Sequence, residues 1–386
     1  MSPFSAIFVP DQLADALSDT AWLAAMLAAE GALVNAQSAA GLVPTEAAAA
    51  VQQALRVELY DVGSIATAGR APGNPVEPLV QAIRTQVGEE NERYVHRGAT
   101  SQDILDTAAM LVARRAIRLV DVELVAAADL CVRLAVEHRE TVMAARTLLQ
   151  QAVPTTFGYK AATWLVGLHN ARTQLSELDL PAQLGGAAGT LAALGDSGTE
   201  VLRLYAAELQ LSEPVIPWHT QRAPIGRLAA GLSAAAVAIE KIARDIALLA
   251  QTEVGEVAEA DGGRSSTMPH KRNPVQAVIA SAAARHGRTN AALLVECGVH
   301  EHERAVGAWH AEWAALSRAL AGTGGAAAAI ARSLGGLEVD AERMRANISA
   351  ETLSEAQRLG IDALQPEEYL GSANAFIDRA LALYDA

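Results

Sequence analysis

Aromatic side chains are scarce in this sequence. Only 4% of its 386 residues are Phe, Trp or Tyr, although 51% are hydrophobic, and alanine is abundant from end to end. Strands prefer aromatic and β-branched side chains, whereas alanine is the best helix former, so this balance argues against a β-sandwich. We therefore expect an all-α protein.

Cysteine is rarer still. Cys131 and Cys297 are the two cysteines, and neither forms a CxxC motif or a pair with metal-ligand spacing. Isolated cysteines in apolar helical patterns predict buried, reduced thiols and exclude a disulfide framework. Residues 1–4 lack the basic start of a signal peptide, and charged residues interrupt the long apolar stretches. These absences predict a cytoplasmic protein without a membrane span.

Basic residues are outnumbered. The 30 Lys and Arg against 44 Asp and Glu give a net charge of −14. Binding of nucleic acid requires a dominant basic face, so this balance argues against such a partner. An anionic small molecule would need a locally basic pocket.

The chain is long enough for several helical regions. We predict an N-terminal helical domain over residues 1–96, a central bundle of long helices over 97–336 and a short C-terminal helical cap over 337–386. One helix carries a heptad seam of apolar residues, which is typical of helices that pack nearly parallel. The seam consists of Leu228, Leu232, Ala235, Ile239, Ile242, Ile246 and Leu249. Another long helix is predicted from about His300 to Ser333, and the long helices together favour an elongated bundle inside an oligomer.

The segment from Gly262 to Pro274, GGRSSTMPHKRNP, contains the strongest chemical signal. Gly262 and Gly263 are expected to allow unusual backbone angles and mobility, and Lys271 with Asn273 could hold a carboxylate by charge and hydrogen bond. The alternative is an ordinary solvated loop between helices. Composition alone does not distinguish the two.

The order of residues in this loop resembles the SSxMPxKxN signature of the superfamily that contains fumarase, aspartase, argininosuccinate lyase and adenylosuccinate lyase. Residues 96–103, HRGATSQD, and residues 145–156, ARTLLQQAVPTT, are similar to its other two signature regions and occur in the same order. The resemblance implies a homotetramer around a central helical bundle, in which each active site takes its three regions from three different subunits.

Two departures from the superfamily pattern concern a histidine and glutamate pair. The histidine position after Thr147 is Leu148, and the glutamate position five residues after Asn273 is Val278. The sequence is therefore similar to the branch that lacks this pair, the 3-carboxy-cis,cis-muconate cycloisomerases. Residues 184–191, 217–222, 301–304 and 309–313 add to this resemblance, whereas the region after Val339 is shorter than in that branch.

The resemblance to this branch implies an isomerase of aromatic-compound catabolism that needs no cofactor and no metal. A carboxylate oxygen of the tricarboxylate adds to an alkene carbon to give 4-carboxymuconolactone, and a proton is delivered beside another carboxylate. Ser265 or Ser266 is expected to transfer the proton, and Lys271 with Asn273 to stabilise the charge that develops. The other expected substrate contacts are Arg97, Thr100, Ser101, Arg146, Thr147, Gln150, His219, Arg222, Met268 and His270.

Structural interpretations of these residues remain open. Thr100 and Ser101 could simply cap a helix, and Thr147 could be a core hydroxyl bonded to its own backbone. His219 and Arg222 could only brace a turn.

Two motifs suggest other ligands, and both are rejected. The histidines and glutamates of residues 300–303 lack HExxH spacing, which disfavours a metal, and no strand precedes the glycines of residues 185–189, which disfavours a dinucleotide. Two alternative functions stay open: a fumarate-releasing lyase similar to adenylosuccinate lyase, and a helical scaffold without catalysis.

Overall fold

The computed structural model describes residues 5–260, 262–264, 268 and 271–385. Small helices come first along the chain, and the longest of them packs against the bundle that follows. They are α1 (Ser5–Phe8), α2 (Asp11–Ala16), α3 (Asp19–Ala39), α4 (Thr45–Ala54), α5 (Val62–Ala68) and α6 (Val76–Val87), with 3-10 turns at Val57–Leu59 and Glu92–Tyr94.

Long helices then form the body of the molecule, which confirms the prediction of an all-α fold with a bundle of long helices. They are α7 (Ser101–Glu137), α8 (Phe157–Ser176), α10 (Ala223–Leu249), α11 (Val275–Glu296) and α12 (Ala308–Gly335), while α9 (Gly198–Leu209) is shorter and follows a 3-10 turn at Ala192–Ser197. All seven residues of the predicted heptad seam on α10 are buried. The seam therefore packs into the bundle, as the alternating steps of four and three require.

The last helix of the bundle begins later than the sequence pattern suggested. α12 begins at Ala308, not near His300, because residues 300–307 form an irregular turn. The Glu301 carboxylate accepts the backbone N–H of Val306, and Gly307 has a φ of +96°, which is outside the helical region. Further along α12, a Cβ on Gly322 would collide with the backbone of Gly287, so glycine is needed there for close packing against α11.

Short strands pair at three places and were not predicted from the sequence. β1 (Val142–Thr147) and β2 (Gln150–Thr156) form an antiparallel hairpin between α7 and α8, β3 (Val257–Glu259) pairs with β6 (Leu337–Val339), and β4 (Gly263–Arg264) pairs with β5 (Arg272–Asn273).

The region after β6 is a small helical cap. It contains α13 (Ala341–Ala346), α14 (Ser354–Arg358) and α15 (Ala373–Asp385), with 3-10 turns at Ala350–Leu353 and Pro366–Glu368. α15 lies along α8, and Arg139 forms an ion pair with Asp378 that fastens it. The exact domain boundaries stay a prediction. Among the described residues, none of the helices is both long and apolar enough to span a bilayer.

Candidate active site

Asp103 organises the first motif. Its Oδ1 accepts hydrogen bonds from the backbone N–H of Gly185 and from Nε2 of His219, at 2.9 and 2.6 Å. Its Oδ2 accepts the backbone N–H groups of Thr100 and Gly186, both at 2.9 Å. The side chain is fully buried, so these four donors replace the water that a carboxylate otherwise needs.

The glycine-rich segment is shaped to reach this carboxylate. Gly186 has a φ of +69°, and a Cβ at this position would lie 2.8 Å from the carbonyl oxygen of Gly98. Both facts require glycine, because other residues are strained at positive φ and would displace the first motif. The segment thus packs closely against the first motif.

Arg222 is buried in a pocket of opposite charge. Its guanidinium bonds both oxygens of Asp106, at 2.7 and 3.1 Å, and both oxygens of Glu312, at 2.5 and 3.0 Å. It also stacks over the ring of Trp218 at 4.7 Å. Burial alone would lower the pKa of Arg222, but Asp106 and Glu312 together raise that pKa above its ordinary value. Since two carboxylates already compensate one cation, the geometry favours a positioning role for Arg222.

The expected substrate contacts of His219 and Arg222 therefore stay predictions. His219 is 4% exposed and faces Asp103, and Arg222 is equally buried. Sequence reasoning left out the acidic partners Asp103, Asp106 and Glu312. Asp103 was visible inside the first motif, and Asp106 lies three residues later on the same helix face, which was a usable signal.

Thr100 and Ser101 stand where α7 begins. Thr100 is the N-cap residue and Ser101 the first helical residue, and both are half-buried, so capping and substrate binding remain compatible. Arg97, three residues before the cap, donates to the carbonyl oxygen of Leu42 at 2.6 Å. This acceptor is neutral, and Arg97 forms no ion pair within the described part of the chain, so its positive charge remains available to a substrate carboxylate.

Arg304, at the same end of α7, is a second cation that forms no ion pair with any residue that the structure describes, and sequence reasoning did not select it. Its guanidinium donates to Oε1 of Gln102 at 2.8 Å and to the carbonyl oxygen of Ala187 at 2.8 Å. These acceptors are neutral and the side chain is half-buried. A cation held this way beside Gln102 can attract a substrate carboxylate.

His96, at the start of the first motif, has a strained backbone with φ +60°. Its Nδ1 lies 2.6 Å from Oε1 of Glu30, whose side chain is 2% exposed. Burial alone would lower the pKa of His96, but the Glu30 carboxylate raises it above its ordinary value. This pair links α3 to the first motif.

The second motif is a hairpin with an unusual tip. Leu148 and Leu149 form its two-residue turn with φ of +51° and +66°, a conformation normally left to Asn and Gly. Leu148 is 97% exposed and Leu149 is 68% exposed. Thr147 and Gln150 flank the turn as register partners and are also exposed, so the interpretation of Thr147 as a core hydroxyl is wrong.

Arg146 lies two residues before Leu148, and an acidic side chain of the same chain binds its guanidinium. Its guanidinium forms two hydrogen bonds, at 2.9 and 2.6 Å, with the fully buried carboxylate of Glu256. The expected contact of Arg146 with substrate stays a prediction, because its charge is balanced inside the chain.

The two ends of the third motif meet at a neck, which the paired strands β4 and β5 form. Gly263 pairs with Asn273 in the β4–β5 ladder, and Nδ2 of Asn273 donates to the carbonyl oxygen of Gly263 at 3.0 Å. A Cβ on Gly262 would lie 2.9 Å from the Asn273 carbonyl oxygen, and one on Gly263 would lie 2.6 Å from Val275. These two glycines therefore serve close approach of the chain rather than the unusual backbone angles expected from the sequence.

Several expected contacts belong to the loop beyond this neck. Lys271 is exposed, and its backbone N–H donates to the carbonyl oxygen of Met268 at 3.0 Å. Both residues line a cavity of about 1050 Å³ between the end of α10 and the beginning of the cap. Ser265, Ser266 and His270 lie outside the described residues, so their roles stay predictions.

Within one chain the first and second motifs are far apart. The first motif lies at the N-terminus of α7, and the hairpin follows its C-terminus. At 1.5 Å per residue, the 37 residues of α7 separate these motifs by about 55 Å. A small molecule cannot contact both, so a site that uses all three motifs needs more than one copy of the chain.

Comparison with known proteins shows which family the chain resembles. A family model described as a lyase matches residues 9–286. Nitrosuccinate lyase from Streptomyces davaonensis is 48% identical over 349 residues, covering 86% of this chain and 74% of its own. The 3-carboxy-cis,cis-muconate cycloisomerase of Bradyrhizobium diazoefficiens is 45% identical over 344 residues, covering 87% and 76%.

A solved structure extends the similarity to the whole fold. The crystal structure of a 3-carboxy-cis,cis-muconate lactonizing enzyme from Pseudomonas putida superposes with a TM-score of 0.93 at 37% identity, over 100% of this chain and 99% of that one. The resemblance first seen in three short motifs is thus confirmed along the chain, which belongs to the lyase family.

Proposed function

We propose that this chain is a cycloisomerase that closes 3-carboxy-cis,cis-muconate to 4-carboxymuconolactone. The observation that carries the proposal is the absence of an acid–base pair where the superfamily pattern has His and Glu. Leu148 occupies the tip of the hairpin and Val278 is 57% exposed on α11, so neither position can move a proton. The similarity to cycloisomerases over nearly the full fold supports the same activity.

The reaction needs proton transfer beside a carboxylate. A carboxylate oxygen bonds to the alkene carbon, the double-bond electrons shift to the neighbouring carbon, and that carbon takes a proton. Negative charge develops on the carboxylate attached to it, so donors and cations aimed there lower the barrier. Ser265 or Ser266 supplies the proton in this proposal, with Lys271 beside it and Thr100, Ser101 and Thr147 orienting the carboxylates.

A substrate with three carboxylates requires local positive charge in a chain of net charge −14. Arg97 and Arg304 are suited to this role because both donate to neutral acceptors, so no carboxylate of the described residues offsets their positive charge. Arg222 and Arg146 are less suited because carboxylates already bind them.

The active site in this proposal is shared between the subunits of a homotetramer. The separation of about 55 Å along α7 supports the sharing, because a single chain cannot bring the first two motifs to one small molecule. The exposed leucines at the hairpin tip support it as well, since apolar side chains in a strained turn are costly without a partner surface.

A second candidate is elimination of nitrite from nitrosuccinate, and the relative that is 48% identical favours it. The two reactions are chemically close. Opening of the lactone removes a proton beside a carboxylate and expels a carboxylate from the neighbouring carbon. Loss of nitrite removes the equivalent proton and expels nitrite, leaving fumarate. One proton-transfer group could therefore serve either reaction.

The deciding experiment offers the purified chain both acids. With 3-carboxy-cis,cis-muconate, loss of the diene absorbance should proceed at a rate proportional to enzyme concentration. With nitrosuccinate, nitrite and fumarate should form slowly or not at all. The opposite pattern would select the nitrosuccinate reaction, and inactivity toward both acids in a correctly folded oligomer would reject both proposals.

A further inference from the structure

The hairpin of the second motif is tied to the cap by an amide clasp. Nε2 of Gln151, on β2, donates to the carbonyl oxygen of Asn347 at 2.8 Å, and its Oε1 accepts the backbone N–H of Ser349 at 3.0 Å. Gln151 is the register partner of Arg146 on β1. The clasp holds β2 at Gln151, and the ion pair with Glu256 holds β1 at Arg146. Both strands are therefore fixed at the same register position, one residue pair before Thr147 and Gln150.

Asn347 joins this clasp to the buried ion pair. Its Nδ2 donates to Oε1 of Glu256 at 2.9 Å and to the carbonyl oxygen of Val254 at 2.8 Å. The same oxygen of Glu256 accepts from Arg146 at 2.6 Å. Glu256 is fully buried, so loss of one of these donors leaves part of the hydrogen-bonding capacity of a buried carboxylate unsatisfied.

The strand that follows Glu256 reaches the neck of the third motif. Glu259 ends β3, and its carbonyl oxygen accepts the N–H of Gly262 at 3.0 Å. Its carboxylate is buried and accepts the N–H groups of Gln276 and Ala277 at the start of α11, both at 2.9 Å. Ser333 on α12 donates to it at 2.6 Å.

Glu256 and Glu259 stand at the two ends of one short segment: Glu256 directly precedes β3 and Glu259 ends it. They bind different parts of the molecule, because Glu256 accepts from Arg146 of the hairpin and Glu259 accepts from the start of α11. The segment spans only about 10 Å at 3.3 Å per residue, and the pairing of β3 with β6 keeps it extended. One end therefore holds the hairpin and the other holds the base of the loop.

We infer that Glu256 and Asn347 are positioning residues that fix the hairpin tip relative to the neck of the third motif. Neither acts on substrate: Glu256 acts through Arg146, and Asn347 acts through Gln151 and Glu256. The consequence for catalysis rests on the proposed function, because it requires that the tip residues Thr147 and Gln150 contact substrate. The cap after β6 then contributes to activity without contributing an active-site group.

The test compares Glu256→Gln and Asn347→Ala with wild type in the full chain. Glu256→Gln keeps the shape of the side chain but turns a donor toward Arg146, and Asn347→Ala removes the link to Glu256. Glu367→Gln is the matched control, because it breaks a half-exposed ion pair with Arg345 in the same cap without touching the hairpin.

Two readouts are measured. Hydrogen exchange of the backbone amides of residues 144–152 should become at least tenfold faster in both variants and stay unchanged in the control. With the substrate that wild type converts, kcat should fall on the order of 10- to 100-fold while KM changes less than about threefold, because a misplaced group weakens transition-state contacts first.

The outcomes are separable. Unchanged exchange of the hairpin in folded Asn347→Ala protein would overturn the inference, and so would a large rise in KM at constant kcat. If Glu256→Gln does not fold, Asn347→Ala alone decides. If wild type converts neither acid, the proposed function fails. The exchange measurement still decides whether Glu256 and Asn347 fix the position of the hairpin.

Discussion

Nε2 of His219 lies 2.6 Å from Oδ1 of Asp103, and both side chains are buried although 116 residues separate them in the chain. The contact joins the first motif to the turn that precedes α10. It also explains why the glycine-rich segment must lie against both, since Asp103 binds the backbone N–H groups of Gly185 and Gly186 with the same carboxylate.

Replacing Asp103 with Asn tests this arrangement. An amide presents one donor where the carboxylate presents only acceptors, so at least one of the four donors loses its partner in a buried site. We expect a loss of roughly 3 kcal/mol in the free energy of unfolding and a large fall in kcat. Urea titration and steady-state kinetics measure the two effects. Asp61→Asn, at an exposed helix cap that Asn serves equally well, is the control and should change neither.

Arg222 should matter for stability because it is buried between Asp106 and Glu312. Arg222→Met would leave both carboxylates buried without a cation, at a cost of roughly 3 to 5 kcal/mol in the free energy of unfolding. Arg203→Met removes the same kind of bidentate pair at the surface, where Arg203 and Glu200 are half-exposed, and should have little effect. Equal destabilisation of the two variants in urea would contradict the role given to Arg222.

His96 should make stability depend on pH. Burial lowers its pKa in the folded protein, but the carboxylates of Glu30 and, to a smaller extent, Asp103 together raise that pKa above the ordinary 6.5. A raised folded pKa means that the pair stabilises the protein fully below the unfolded pKa and loses this contribution as pH rises through the folded pKa. The difference in unfolding free energy between wild type and Glu30→Gln should therefore be larger near pH 5.5 than at about pH 8.5. A difference that grew toward high pH would reverse the sign and reject the assignment.

The sequence predicted the parts of this fold that depend on local pattern. The heptad seam of α10 was readable because its period is a property of one helix, and all seven residues are buried. The hairpin was not readable. Residues 142–149 are rich in helix formers such as Ala, Arg and Leu, and the turn at Leu148 and Leu149 lacks the usual Asn-Gly signal.

The partners of the motif residues were also beyond the reach of sequence patterns. The motifs identified which residues to consider, but not that Arg146 pairs with Glu256, 110 positions later. Such contacts are set by the packing of long helices, which brings distant turns to the same end of the bundle. Charge compensation is therefore a property of the fold, and it changes which arginines remain available to bind substrate.

Arg304 differs from Arg146 and Arg222 in that neutral groups, not carboxylates, accept its hydrogen bonds. Its acceptors are Gln102 and backbone carbonyl oxygens, so its charge is free to attract a substrate carboxylate. We expect Arg304→Gln to raise KM on the order of tenfold, since a charge-assisted hydrogen bond is lost, and Arg304→Lys to raise it less. Steady-state kinetics with the substrate that wild type converts provides the measurement. A folded Arg304→Gln protein with an unchanged KM would remove this residue from the binding site.

The proposed sharing of the active site between subunits has a consequence that one mixed sample can test. Ser101→Ala disables the first motif and Lys271→Ala disables the third, so each homogeneous protein should be nearly inactive. If the two motifs of one site come from different chains, some sites in a mixed oligomer receive an intact Ser101 from one variant and an intact Lys271 from the other. With equal amounts and random assembly, about one quarter of the sites should be intact, because each of the two motifs is intact with even odds.

Co-expression with two different affinity tags, followed by tandem purification, isolates the mixed oligomers, and the kcat per chain is then compared with that of wild type. A mixed oligomer as inactive as its parents would mean that one chain supplies both motifs to the same site, which would require the first and third motifs to approach each other within a single subunit.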